Sequence, residues 1–164
     1  MTYNFKNVRV LVVESSPEMA KLLKNVLQML SIPEANIDMA LSPEEAIIKF
    51  SRQKHDLIIT DWLDNPDRGL KLTRNIRSSK STPNPFVPVI MTAGSGHVQS
   101  VIKARDVGVS DYVIKPFSAK MLADRIVRVI EDKRGFVISD GYVGPDRRYQ
   151  LKEGFDGAER RDSD

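Results

Sequence analysis

Short apolar runs along the chain alternate with longer stretches in which apolar residues recur every three or four positions. The first run, VRVLVV at 8–13, is rich in β-branched residues and stops at Glu14, which predicts a buried strand. In the stretch that follows, Met19, Leu22, Leu23, Val26, Leu27 and Leu30 fall on one helical face. Ser16 is the expected N-cap, Pro17 suits the first helical position, and Glu18 lies where the helix dipole favours an acid. NIDMA (36–40) predicts a second strand, and SPEEAIIKFSRQ repeats the Ser-Pro-acid helix start with Ala46, Ile47 and Phe50 facing inward. DLIIT (56–60) and GLKLTRNIRSS (69–79) form the third pair. After the loop STPNPF comes a fourth strand, VPVIMTA (87–93), with Pro88 near its start, and a weaker helix within GSGHVQSVIKARDVG. SDYVIK (110–115) and the helix SAKMLADRIVRVIEDKR (118–134), capped by Ser118, complete the series.

Five strand–helix alternations with short apolar strands predict an α/β protein whose five-stranded parallel sheet is covered on both faces. Ligands of such sheets collect beyond the carboxyl ends of the strands. Those ends carry Glu14, Asp61, Thr92 and Lys115. Two carboxylates, a hydroxyl and an ammonium converging on one rim are the parts that phosphoryl transfer to a carboxylate needs. Each has a plainer reading by itself: Asp61 as a turn former, Thr92 as a β-branched strand residue, Lys115 as a solvated strand end. Trp62, next to the acid, reads as a partly exposed cover for the site, and His55 and His97 read as surface residues without metal-like spacing.

Composition narrows the classes. The 164 residues suit one domain with an extension. Without cysteine there is neither a disulfide framework nor a thiolate metal site. With no cysteine and no signal-peptide pattern a cytoplasmic location is expected, and no apolar stretch approaches the ~20 residues that span a bilayer, so no membrane association is expected. The net charge of +3 does not argue for nucleic acid.

VLVVESSP, LIITDW, VIMTA and YVIKPF, in this order, resemble the receiver domains of two-component response regulators over roughly residues 7–132. The resemblance implies a flavodoxin-like, doubly wound (βα)5 fold and a signalling module rather than an enzyme. It implies Asp61 as phosphoacceptor, Thr92 and Lys115 as phosphoryl contacts, and Tyr112 as an aromatic switch, with simple packing an equal reading for Tyr112. It also implies a cis peptide before Pro116 that helps aim the lysine, and an output face built from the fourth helix, fifth strand and fifth helix. Implied partners are a sensor histidine kinase or phosphotransfer protein and a downstream protein target, with no direct DNA binding and a homodimer left open. Implied Mg²⁺ ligands are Glu14, Asp61 and the backbone carbonyl of Leu63. One departure stands out: the family has a second acid where this chain has Ser15. A neutral hydroxyl is a weaker ligand for a hard cation than a carboxylate, so weakened Mg²⁺ binding and slow or absent phosphorylation are expected. An apolar Leu63 offers a hydrolytic water no polar partner.

Residues 133–164 form a C-terminal extension with no helical stripe and balanced charge, seven basic and seven acidic residues from Lys133 to Asp164. YVGPDRR (142–148) and FDGAERR (155–161) repeat an aromatic-x-Gly-small-acid-Arg-Arg pattern thirteen residues apart. Arg147, Arg148, Arg160 and Arg161 could grip an anion in bidentate fashion, with the aromatic residue as a stacking face. A solvated tail, or docking of the GFVISDGYV segment on the receiver, are the other readings. The function expected is a stand-alone receiver that accepts a phosphoryl group and signals by protein–protein contact. The alternatives are a degenerate receiver acting as an adaptor, and a nucleotide effector using the tail arginines.

Overall fold

A computed structural model describes residues 4–63, 67–78, 82–132, 135–139 and 142–146. The elements alternate as β1 (Val10–Val13), α1 (Pro17–Met29), β2 (Ile37–Ala40), α2 (Pro43–Arg52), β3 (Leu57–Asp61), α3 (Arg68–Ser78), β4 (Val89–Ala93), α4 (Val98–Asp106), β5 (Asp111–Ile114) and α5 (Ala119–Ile130). An antiparallel pair, β6 (Phe136–Ser139) and β7 (Tyr142–Pro145), follows. All five predicted strand–helix pairs are present. A 3-10 turn at Glu34–Asn36 and the β6–β7 pair were not predicted.

The five strands are parallel in the order β2-β1-β3-β4-β5. The chain winds outward from β1 to β2, then crosses back to β3 on the other side of β1. This reversal makes β1 and β3 neighbours and leaves a crevice beyond their carboxyl ends. Glu14 and Asp61 stand at those two ends.

The sheet's two-residue period sorts its side chains into two buried layers. Val10, Val12, Ile59 and Ile90 pack with Leu23, Leu27, Leu122 and Ile126 of α1 and α5. Leu11, Val13, Ile58 and Met91 pack with Phe50, Leu70, Leu72 and Ile76 of α2 and α3. Each such Leu or Ile contributes roughly 1.5–3 kcal/mol by leaving water, which holds the rim residues on a rigid base. The three predicted caps form: Ser16 accepts from the Met19 amide at 3.3 Å, Ser42 from Glu45 at 3.1 Å and Ser118 from Met121 at 3.0 Å.

His55 corrects the sequence reading. Its side chain is fully buried rather than at the surface, stacked on Phe50, with Nε2 2.7 Å from Asp38 Oδ2. The carboxylate of Asp38 on β2 gives the imidazole a partner, so burial is tolerated. His97 is exposed, at the start of α4.

Candidate functional site

The site forms because three neighbouring strands stop at the same level. Asp61 and Thr92 are register partners on β3 and β4, and Lys115 follows β5, its amide donating to the Ala93 carbonyl at 2.8 Å. Lys115 Nζ donates to Asp61 Oδ1 at 2.6 Å and to Glu14 Oε1 at 3.0 Å. The ammonium thus bridges two acids that lie 47 positions apart in the chain, 14 and 61. Glu14 is 2% exposed, so its charge depends on these partners. Burial lowers the Lys115 ammonium, but the hydrogen bonds and charges of Asp61 and Glu14 outweigh burial, and the net shift is upward. The Lys115–Pro116 peptide is cis.

Asp61 is held from below. Its Oδ2 accepts from the Leu63 amide at 2.9 Å, and its side chain keeps 17% exposure. A carboxylate with one oxygen on a lysine, the other on an amide, and one open side can be reached by a reagent from solvent. The loop is drawn against α3 by Gly69, whose amide donates to the Trp62 carbonyl at 2.7 Å. A Cβ at Gly69 would stand 2.7 Å from that same oxygen, closer than such atoms come. Leu63 takes φ 53°, an unusual value for a leucine. Trp62 is half-buried as expected, its Nε1 donating to Asp67 Oδ1 at 3.0 Å and its ring meeting Tyr112 edge-on at 6.2 Å.

Thr92 Oγ1 is buried and has no hydrogen-bond partner among the described residues. Native structures rarely leave a buried hydroxyl unmade. An orphaned hydroxyl on the strand next to Asp61 suits an oxygen-rich group arriving at that carboxylate. Tyr112 is half-buried and donates its hydroxyl to the Ser95 carbonyl in the loop after β4, and burial raises its phenol above the usual range.

Two details were not predicted from the sequence. Glu14 Oε2 accepts from the Ser16 amide at 3.2 Å, so both its oxygens are engaged. The Leu63 carbonyl accepts from the Arg68 amide at 2.9 Å, leaving it one lone pair for any further ligand. The first had a signal, an acid two residues before a helix cap, where side chains often close a local turn. The second had none. Ser15 is exposed. Arg147, Arg148, Arg160 and Arg161 lie outside the described residues.

The family model for the response regulator receiver domain matches residues 10–127. The chain belongs to that family. The chemotaxis protein CheY-3 of Vibrio cholerae is 28% identical to this receiver over 126 residues, covering 77% of this chain and 94% of the relative. CheY of Pseudomonas aeruginosa is 27% identical over 128 residues, covering 78% and 100%. A two-component response regulator from Clostridium difficile superposes with a TM-score of 0.66 at 28% identity, over 77% of this chain and 98% of that one. CheY4 of Vibrio cholerae superposes with the same TM-score at 22% identity, over 74% and 98%, a likeness of fold. The observed sheet is the flavodoxin-like arrangement of these structures.

Receivers of this family are signalling domains that interact with histidine kinases and downstream targets, and they typically bind Mg²⁺ at the acidic pocket. The donors present here fit such an ion in kind, because Glu14 and Asp61 offer hard carboxylate oxygens at one rim. They are fewer than a tight site uses: no group of three or more His, Cys, Asp or Glu side chains gathers among the described residues. No helix among them is long and apolar enough to cross a membrane.

Proposed function

We propose that this receiver accepts a phosphoryl group on Asp61 from a histidine kinase or phosphotransfer protein in the cytoplasm, and signals by protein–protein contact. The observation that carries the reading is the Lys115 ammonium 2.6 Å from Asp61, beside the unpartnered hydroxyl of Thr92. An Asp61 oxygen attacks phosphorus in line as the bond to the donor's leaving group breaks, giving an acyl phosphate. Lys115 then exchanges part of its contact with Asp61 for a phosphoryl oxygen, and Thr92 Oγ1 donates to another. Glu14, Asp61 and the Leu63 carbonyl would hold Mg²⁺, with at most a neutral contribution from Ser15, and the ion would supply charge neutralisation for the phosphoryl oxygens. Tyr112, tied to the Ser95 carbonyl in the loop after β4, would report a movement of Thr92. The surface that would carry that report includes Val98, Val101, Ile114 and Met121, all exposed apolar residues of α4, β5 and α5.

A second reading has its own support. Ser15 brings no charge, and Glu14 is committed to Lys115 and the Ser16 amide. On that reading the domain is an adaptor whose rim stays closed by its own lysine. Beryllofluoride with millimolar Mg²⁺, followed by amide chemical shifts, separates the two. Shifts at Asp61, Leu63 and Thr92, absent in Asp61→Asn, are expected for the acceptor. No shift in the wild-type chain overturns that reading and leaves the adaptor.

A further inference from the structure

A two-stranded hairpin with four residues a side is marginal in water by itself. β6 and β7 therefore need a surface to lie on. The contacts of β7 lie at the amino end of the sheet, opposite the rim that holds Asp61. There Arg77, near the end of α3, is 4% exposed. Its Nε and Nη2 donate to the Gly108 carbonyl at 3.1 and 2.8 Å, and Nη1 donates to the carbonyls of Pro85 at 2.9 Å and Val87 at 2.5 Å. A guanidinium is costly to bury unless its N–H groups are taken up. These carbonyls take them up, and in doing so tie α3 to the segment before β4 and to the turn between α4 and β5. Burial pulls the Arg77 guanidinium down to about 10, with Tyr142 acting the other way, so it is cationic at neutral pH.

β7 closes over this point. A Cβ on Gly144 would stand 2.8 Å from Gly108 Cα and 2.7 Å from the Tyr142 hydroxyl. A Cβ on Gly108, whose φ is 99°, would drive into the Val143 carbonyl and stand 3.0 Å from Arg77 Nε. Only a backbone without side chains passes on either side. Tyr142 turns its hydroxyl back to the Pro145 carbonyl at 2.7 Å, and the Asp146 amide donates to the Gly135 carbonyl at 2.9 Å, closing the hairpin's base.

We propose that the Arg77–Gly108 surface is a docking seat for an aromatic-x-Gly-small segment, and that Tyr142–Pro145 of the same chain is its resident occupant. The first copy of the tail repeat then has a split role. Its aromatic and glycine positions serve docking, so Tyr142 is not a free stacking face for an outside ligand. The second copy is a poorer occupant, with Phe155 where a hydroxyl is used and Asp156 where Val143 stands. The seat makes no use of the rim chemistry and holds whether or not Asp61 is phosphorylated.

Amide hydrogen exchange on the full chain, read by NMR, tests the seat. In the wild type, interstrand amides within 136–139 and 142–144 are protected. Gly144→Val speeds their exchange at least tenfold and leaves Val10–Val13 and Leu57–Asp61 unchanged. Tyr142→Phe, which gives the first copy the second copy's aromatic, speeds it several-fold through the loss of one hydrogen bond. Unprotected hairpin amides in the wild type, or unchanged exchange in Gly144→Val, overturn the proposal. So does equal acceleration of β1 and β3, which would make the hairpin an inseparable part of the core. Should Gly144→Val not fold, a cross-peak between the Gly108 and Gly144 α-protons of the wild type decides: presence supports the seat, absence overturns it.

Discussion

Glu14 and Ser15 show how much one side chain can set. A receiver with two acids after β1 confronts its cation with three carboxylates, whereas here Lys115 already balances one of two. Adding a carboxylate at position 15 changes the local charge by a full unit without touching the core, since Ser15 is exposed. Ser15→Asp is expected to tighten Mg²⁺ at least tenfold, which corresponds to about 1.4 kcal/mol. Quenching of Trp62, the single tryptophan and next to Asp61, reads it directly. An unchanged titration would show that position 15 does not face the ion. Lys115 makes the complementary prediction in pH. Its ammonium is raised in the folded state, so the folded chain holds that proton more tightly than the unfolded one. The stability it contributes is present at neutral pH and below the ordinary lysine value, and is lost as pH rises through the raised value. Urea midpoints of wild type and Lys115→Met should therefore converge above the ordinary lysine range. Gly69 has no tolerance for a methyl group: Gly69→Ala is expected to displace the Asp61–Trp62 backbone and shift Trp62 emission, with the amides of β1 and β2 unmoved.

Helices and strands here were legible where a local rule decides. Three Ser caps, a Pro at the first position of α1 and α2, and an amphipathic stripe on each long helix announce themselves in the sequence. The caps can be tested singly: Ser42→Ala should cost about 1 kcal/mol in urea unfolding, with far-UV ellipticity and the rim amides unchanged. The clustering of the rim side chains was legible for the same reason, since Asp61, Thr92 and Lys115 each end an apolar run. What stayed hidden depends on partners far along the chain. His55 looks like a surface residue until Asp38 is brought beside it by the pairing of β2, β1 and β3. Nothing local marks Arg77 for burial; it is buried because the Gly108 and Val87 carbonyls reach it from other segments. β6 and β7 carry no stripe, and the glycine that lets β7 seat meets another glycine thirty-six positions earlier, at 108.

The domain as a body has two distinct ends joined by two apolar layers. All parallel strands run the same way, so the rim with Asp61 and the seat at Arg77 occupy opposite edges of the sheet. The hydrogen bonds at the seat and those at the rim are made by different residues, so a local change at one edge need not reach the other. Beryllofluoride with Mg²⁺ is therefore expected to move the amides of Leu63, Thr92 to Ser95 and Lys115, and to leave those of 136–139 and 142–144 within a line width. Concerted shifts at both edges would instead show a coupling carried along α3, whose first turn meets Trp62 and whose last holds Arg77.

The exposed serine after β1 has a consequence for descent. It touches neither apolar layer, so folding places little constraint on what is written there. A lineage can exchange that residue for an acid, or back again, while keeping the same scaffold, the same outer faces and the same tail. Phosphate signalling and silent scaffolding would then be separated by as few as two base changes in one codon, a short step for a duplicated gene to take.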